Sequence, residues 1–397
     1  MSGESIMSVK KKIIFPLDSE LAMPQGKYSY KLQDWIGFGA TDTDFRSSVK
    51  LLNRVLGQTF SEMQSQRITN DLSAEVEEFY DGAILPDKKE EGEYFAAGFD
   101  DKGIPILPSE VNREVDSSGE RLGKGQKNGV KKSSTVSVTY SFDPFVRTPG
   151  KVIYNLFDKH KEEKKEKKPQ ESARDTQNKH IRAFLSDKDR AIEYGFDNIL
   201  KRGGEVPKIV ALIDGDRGLE KAIDRVVERK GITTMIIGKI LDFIHVVQYI
   251  WKAANAHFGE KSPKRMDWVK QQCLLLLQSQ TDTVIDNLQA LVQQNKSKPK
   301  QDAIQKVINY IVNHKHMMDY RMYLARGFPI STGAVESACG HFVQCRMERN
   351  GMRWSLKGAQ NLLNLRAVNK NDDWDKYIKH YIDKEQALLS GDYSFAA

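Results

Sequence analysis

The chain reads as an α/β protein with a mixed β-sheet, a helical region ahead of the sheet and a long helical stretch behind it. Three observations predict this. Between Ser134 and Asp143, Val136, Val138 and Tyr140 alternate with Thr135, Ser137 and Thr139, the period of a strand. KIVALID, ending at Asp214, is a continuous apolar run of the kind found in strands buried on both faces. From about Leu241 to Leu324 the spacing of apolar residues is helical throughout.

The elements follow in order. Residues 1–27 are polar, broken by Pro16, Pro24 and Gly26, and read as an extended lead-in. Residues 28–85 read as a helical helix-turn-helix region. Asp44–Leu56 places Val49, Leu52, Val55 and Leu56 at helical spacing, and Gly57 ends that helix. Thr59 or Ser61 caps a second helix running on through Tyr80, with Gln64 three residues after Ser61 offering a capping box. Gln64, Gln66, Arg67 and Asn70 would face DNA from it; an ordinary helical hairpin fits the same spacing. EYFAAGFD and GIPILP read as two short strands with DDKG as the turn. A Gly/Lys/Ser-rich loop leads into the Ser134–Asp143 strand, and a short helix follows near Val152–Phe157. Residues 158–176 are charge-mixed and nearly free of apolar residues, an exposed linker. Then come a helix over Lys188–Lys201, the KIVALID strand, a helix over Asp216–Lys230 and the strand ITTMIIGK. Residues 251–326 read as an all-helical insertion, 327–370 as a final core helix with a basic segment, and 371–397 as a helical tail.

Three strands in sequence followed by helix, strand, helix, strand is the RNase H-like order, here over residues 90–250. In such a sheet phosphoryl transfer needs carboxylates converging at one edge, where they hold divalent ions about 3.5–4 Å apart. Asp100 and Asp101 stand at the DDKG turn, Asp214 at a strand end before Gly215, and Glu336 in the first turns of the last core helix. Singly, each has a plain structural role: turn former, helix cap and dipole partner.

Composition narrows the function. Lys and Arg exceed Asp and Glu by 61 − 54 = 7, which suits a polyanionic partner. The three cysteines contain no CxxC pair, which argues against a disulfide scaffold and suits a reducing cytoplasm. Cys339, His341 and Cys345 do not share one helix face, so zinc is not expected there, and Cys273 reads as core. No GxxxxGK[ST] motif, no apolar run of bilayer length and no secretion signal is present. Cations crowd around the last core helix: Arg346, Arg349 and Arg353 follow Glu336. Lys124, Lys127, Lys131 and Lys132 lie in the glycine-rich loop as further candidate phosphate contacts. Trp354 fits packing in the core better than packing on DNA, and the balanced charges of Lys161–Lys168 suggest no role.

IDGDRGLE, LDFIHVVQYIW and GFPISTGAVESACGHFVQCRMERNGMRWSLKGAQNLLNLRA together resemble the DDE transposases of ISKra-type bacterial insertion sequences. FDDKGIP, RLGKGQKNGVKK before STVSVTYSFDPFVRTP, and KHIRAFL resemble the same family's other segments. The likeness runs from about residue 93 to 370 and is most specific from Gly327 to Ala367. It implies catalytic, metal-binding acids at Asp100, Asp214 and Glu336, two Mg²⁺ ions for which Mn²⁺ could substitute, and double-stranded DNA as partner. It further implies hydrolysis at the element's terminal repeats, strand transfer into target DNA, a homodimer or larger assembly on DNA, no membrane, and a cytoplasmic site on the nucleoid. The family's first motif reads Asp-Gly-Lys-Gly, and Asp101 here stands at the usual Gly. Strand alternation puts neighbouring side chains on opposite faces, so one of the two acids points into the site, and Asp100 is assigned. Asp216 reads as a helix-start residue. Asp242 and His245 stand where related Mutator-type transposases carry Cys-x-x-His, which implies that His245 contacts the phosphate or orients an acid. An RNase H-like nuclease without joining activity, or an inactive DNA-binding derivative, would share most of these features.

Overall fold

In the computed structural model the described residues are 24, 28–57, 59–82, 85–110, 130–158, 176–185, 187–333 and 339–391. The chain forms two compact units: residues Met1–Ala83 with Asn364–Ala397, and Ile84–Leu363.

The first unit is helical. It holds α1 (Tyr30–Asp42), α2 (Phe45–Leu56), α3 (Glu62–Leu72) and α4 (Val76–Asp81). Each of the first three begins at a side-chain cap: Ser29, Asp44 and Ser61. Gly57 ends α2 in the left-handed region at φ 62°, a conformation a Cβ would strain. Ser61 accepts from the Gln64 backbone, and the Gln64 side chain accepts from Ser61 N, so the capping box is closed. The single helix expected from Gln64 to Tyr80 is broken. The Ser73 hydroxyl donates to Asn70 O at 2.9 Å, a local bond that competes with the helix ladder, and α4 restarts at Val76. The end of α13 (Leu356–Lys370) and all of α14 (Trp374–Gly391) complete this unit. Arg366 and Lys370 pair with Asp42, and Trp374 Nε1 donates to Asp34 at 2.8 Å.

The second unit carries β1 (Tyr94–Ile106), β2 (Val130–Phe142), β3 (Gln177–Phe184), β4 (Ile209–Ile213) and β5 (Ile236–Leu241). They form one mixed sheet in the order β3-β2-β1-β4-β5. β2 is antiparallel to β1 and β3, while β1, β4 and β5 run parallel. This α/β arrangement is compatible with the RNase H-like order. The strand boundaries differ from those the sequence suggests, however. The two short strands and DDKG turn are one strand: β1 pairs with β2 over its whole length, from Tyr94↔Phe142 to Ile106↔Val130. Asp100 and Asp101 therefore lie within a strand, not in a turn. The third strand of the meander is instead β3, whose mixed polar residues hid it from a periodicity reading.

The β-sheet is covered on both faces. Along β2, Thr135, Ser137, Thr139 and Ser141 look polar enough for solvent yet are all buried. They face α6 (Lys188–Arg202), which also packs on β1 through Phe99 and Phe196, and Gly195 leaves room for that approach. The row is satisfied by partners: Thr139 donates to Asn198, and Ser141 to Glu91 at 2.5 Å. Glu91 and Arg202 form a bidentate pair, both contacts 2.8 Å, with side chains only 6% and 3% exposed. α5 (Pro149–Phe157) precedes β3, and α7 (Arg217–Lys230) links β4 to β5. After β5 come α8 (Phe243–Phe258), α9 (Lys264–Leu277), α10 (Thr281–Gln294), α11 (Lys298–His314) and α12 (Tyr320–Ala325). They pack on one another, α8 against α9 and α11, and α10 against α11. Residues 339–347 form a short helix whose Gly340–Gln344 stretch is wound as a π-helix and packs on β1.

Burial opposes charge on Glu91, but Arg202 and Ser141 hold its carboxyl below the usual range. Its contribution to stability is thus present above the unfolded carboxylate pKa and lost as pH falls through the lower folded value. Arg202→Met should cost about 3–5 kcal/mol by leaving a buried carboxylate unpaired. Denaturant melting at neutral pH measures this, and the same variant should lose much of the wild type's drop in stability on acidification.

Candidate active site

β1 and β4 run parallel with Phe95↔Ile209 through Gly98↔Leu212 in register. Continued by two residues, that register sets Asp100 beside Asp214. Partners across a ladder share a face, so both side chains leave the sheet on the same side. The electrostatics agree: Asp100 is a near neighbour of Asp214 and raises its pKa. Gly215 follows in the left-handed region at φ 96°, where Tyr310 of α11 leaves no room for a Cβ. The Tyr310 hydroxyl donates to Asp214 O at 3.2 Å, and Asp216 N donates to Asp214 Oδ1 at 3.0 Å. The loop after β4 is thereby fixed from both sides.

Asp101 points the other way. Its carboxylate accepts from Thr135 at 2.6 Å and pairs with Lys188 Nζ at 2.5 Å, at the start of α6. Lys188 also reaches Asp216 at 3.5 Å, so it ties β1 to the start of α7. Asp216 caps α7 through Leu219 N at 2.7 Å, the helix-start role read from the sequence. Asp101 is thus engaged on the α6 face, and Asp100 is the acid that shares a face with Asp214.

Two groups at Asp100 escaped the sequence reading. Lys102, two residues along the strand and so on the same face, places Nζ 2.7 Å from Asp100 Oδ2. Burial alone would lower the Lys102 pKa, but Asp100 above all, with Asp214 behind it, holds the ammonium above its ordinary value. Cys339 is buried against Asp100, and burial with that neighbouring charge pushes its thiol up. The alternation of β1 was the signal for Lys102; nothing in the sequence marked Cys339 as a neighbour of Asp100.

His245 lies at the start of α8 on the side of Asp214, whose carboxylate its charge would stabilise. Its orientation comes from Asp242, which caps α8 and is fully buried. Burial would raise the Asp242 pKa, but the hydrogen bonds from His245, Thr332 and Ile244 hold it below the usual range. Ile244 N donates to it at 2.6 Å and Thr332 N at 3.0 Å, and the Thr332 hydroxyl donates to it as well. Its contact with His245 Nδ1 is 3.5 Å. Asp242 therefore joins the end of β5, the start of α8 and the segment that leads toward Glu336. Glu336 itself lies outside the described residues, as do Lys124 and Lys127.

The remaining candidates divide. Arg349 and Arg353 are exposed, as are Lys131 and Lys132, although Lys131 pairs with Glu348 at 2.7 Å. Lys131 and Lys132 stand opposite Pro105 and Ile104, while Trp354 bridges to Ile106, so these cations gather at one end of the β1–β2 ladder. Arg346 does not join them. It is fully buried with its guanidinium 5.1 Å from the Trp354 ring, because the apolar run around Phe342 and Met347 carries it into the core. Trp354 packs as expected, its Nε1 donating to Met347 O at 2.9 Å. In the first unit Gln66 and Arg67 are exposed on α3, Asn70 is half-buried, and the Gln64 oxygen is occupied by the capping box. His341 Nδ1 and Cys345 Sγ approach to 4.0 Å. Among the described residues no group of three or more His, Cys, Asp and Glu is gathered to hold a metal.

Asp100 and Asp214, brought to one face, are hard oxygen ligands of like charge, the chemistry that suits a divalent cation such as Mg²⁺. Compared with known proteins, the chain matches no family model and no curated sequence.

Burial first, then Asp100, raises the Asp214 pKa, with Asp216 N and His245 opposing. A raised carboxyl favours the folded state below the unfolded pKa and loses that contribution as pH rises through the folded value. Asp100→Asn should therefore move the Asp214 titration down, read by carboxyl-carbon NMR, whereas Asp101→Asn should leave it nearly in place.

Proposed function

We propose that the chain is a DDE transposase of an insertion sequence, cleaving element ends and joining them to target DNA. The observation that carries this reading is the shared face of Asp100 and Asp214 on parallel neighbouring strands of a β3-β2-β1-β4-β5 sheet. The ordered resemblance from Gly327 to Ala367 gives the third acid, Glu336, three residues before the Asp100 neighbour Cys339.

In this reading Asp100, Asp214 and Glu336 hold divalent metal, Mg²⁺ in the cell. The bound metal supplies charge neutralisation at the transferred phosphate and activates the attacking oxygen. The protein's own groups do the positioning. Asp216 N and Tyr310 fix the Asp214 loop, and Asp242 orients His245 toward Asp214 or the phosphate. Lys131, Lys132, Arg349 and Arg353 take backbone phosphates, which sets register on DNA and makes binding salt-dependent. The α2–Gly57–α3 element, with Gln66 and Arg67 outward, acts as a helix-turn-helix that recognises the terminal repeats. The helices over residues 251–326 serve as an insertion into the RNase H-like core that touches DNA ends or a second protomer, since two ends must be paired. The protein works on the nucleoid.

The test is a reaction of the purified protein with end-bearing DNA and Mg²⁺, scored for nicks and for joined products. Asp214→Asn and Glu336→Gln should each remove joined product by roughly 100-fold or more, beyond the 10–100-fold typical of an outer-shell partner. Asp101→Asn should cost about tenfold or less, as a positioning residue. Nicks without joining would favour a nuclease, and binding without either would mark a DNA-binding derivative.

A further inference from the structure

Two carboxylates on one face of neighbouring strands repel, and the fold must tolerate that when no metal is bound. The group that answers this is Lys102. It lies two residues from Asp100 on the same side of β1, with Nζ 2.7 Å from Oδ2. The pair is largely enclosed, with side chains 27% and 12% exposed, so it is less screened than a surface ion pair. Its ammonium also lies within the field of Asp214. Among the described residues Lys102 is the cation in ion-pair contact with Asp100.

Mg²⁺ binds carboxylate oxygens at about 2.1 Å. An ammonium on the same carboxylate repels such an ion and occupies an oxygen it needs. We propose that Lys102 is the resident counter-cation of the acid pair: it holds Asp100 while the site is metal-free, and metal must displace it to load. This rests on the reading of Asp100 and Asp214 as metal ligands. Lys102 is a positioning residue whose removal trades stability of the metal-free protein for tighter metal binding. Its flexible four-carbon stem lets the displaced ammonium swing to a backbone phosphate of bound DNA.

Mn²⁺ titration of the full chain, followed by the EPR signal of the free aqua ion, tests this. Lys102→Met should bind Mn²⁺ about tenfold more tightly than wild type, which is ~1.4 kcal/mol, and Mn²⁺ should raise its melting temperature more. Lys102→Arg keeps the charge and should bind within about threefold of wild type. Asp214→Asn should bind much more weakly. Circular dichroism confirms that each variant is folded. Equal or weaker binding by Lys102→Met, with Asp214→Asn still impaired, overturns the role of Lys102 and leaves the metal site standing. Wild-type affinity in Asp214→Asn, or no binding by any form, overturns the metal reading and the Lys102 proposal with it.

Discussion

The parallel pairing of β1 with β4 is the constraint on which the site depends. A two-residue extension of their register sets Asp100 beside Asp214, and the sheet's pleat turns both to one face. A slip of one residue would send Asp100 to the α6 face and bring Asp101 to Asp214. The register is held at several points. β2 pairs with β1 over their whole length, Glu91 and Arg202 tie the approach to β1 onto α6, and Lys188 ties Asp101 to the start of α7. The polar row of β2 belongs to the same device. It is buried because Asn198, Glu91 and Asp101 meet it from α6, the approach to β1 and β1 itself.

Placing like charges side by side carries an electrostatic cost that the surroundings absorb unequally. Asp214 is raised mainly by burial, relieved in part by Asp216 N. Asp100 is matched by Lys102. Asp242, buried more deeply, is held ionised by the hydrogen bonds it accepts. The two kinds of acid are thus distinguishable by their partners. Asp242 accepts several hydrogen bonds from the protein, whereas Asp100 is met by the Lys102 ammonium and Asp214 by Asp216 N.

Much of this was legible in the sequence. The caps at Ser61 and Asp216, the end of α2 at Gly57 and the strands β4 and β5 follow from local chemistry that tertiary contacts did not override. The place of Asp214 was legible because a continuous apolar run, β4, closes on it just before Gly215. β3 was not, because Gln177, Asn178, Lys179 and His180 leave no apolar period to read. The misread hairpin has the same origin. Gly103 and Pro105 look like turn residues, yet β2 supplies a full-length partner that keeps them extended. Arg346 shows the limit of charge as a guide. An Arg surrounded by Phe342, Val343, Met347 and Trp354 stacks in the core, where a cation count would place it on the surface.

The central claim is that Asp100 and Asp214 together hold divalent metal. Crystals of the protein soaked in Mn²⁺ and measured for anomalous scattering test it most directly. A peak bridging the Asp100 and Asp214 carboxylates, on the face of the sheet that carries Cys339, is the predicted result. No peak there, or a peak at Asp101 on the α6 face, would contradict it.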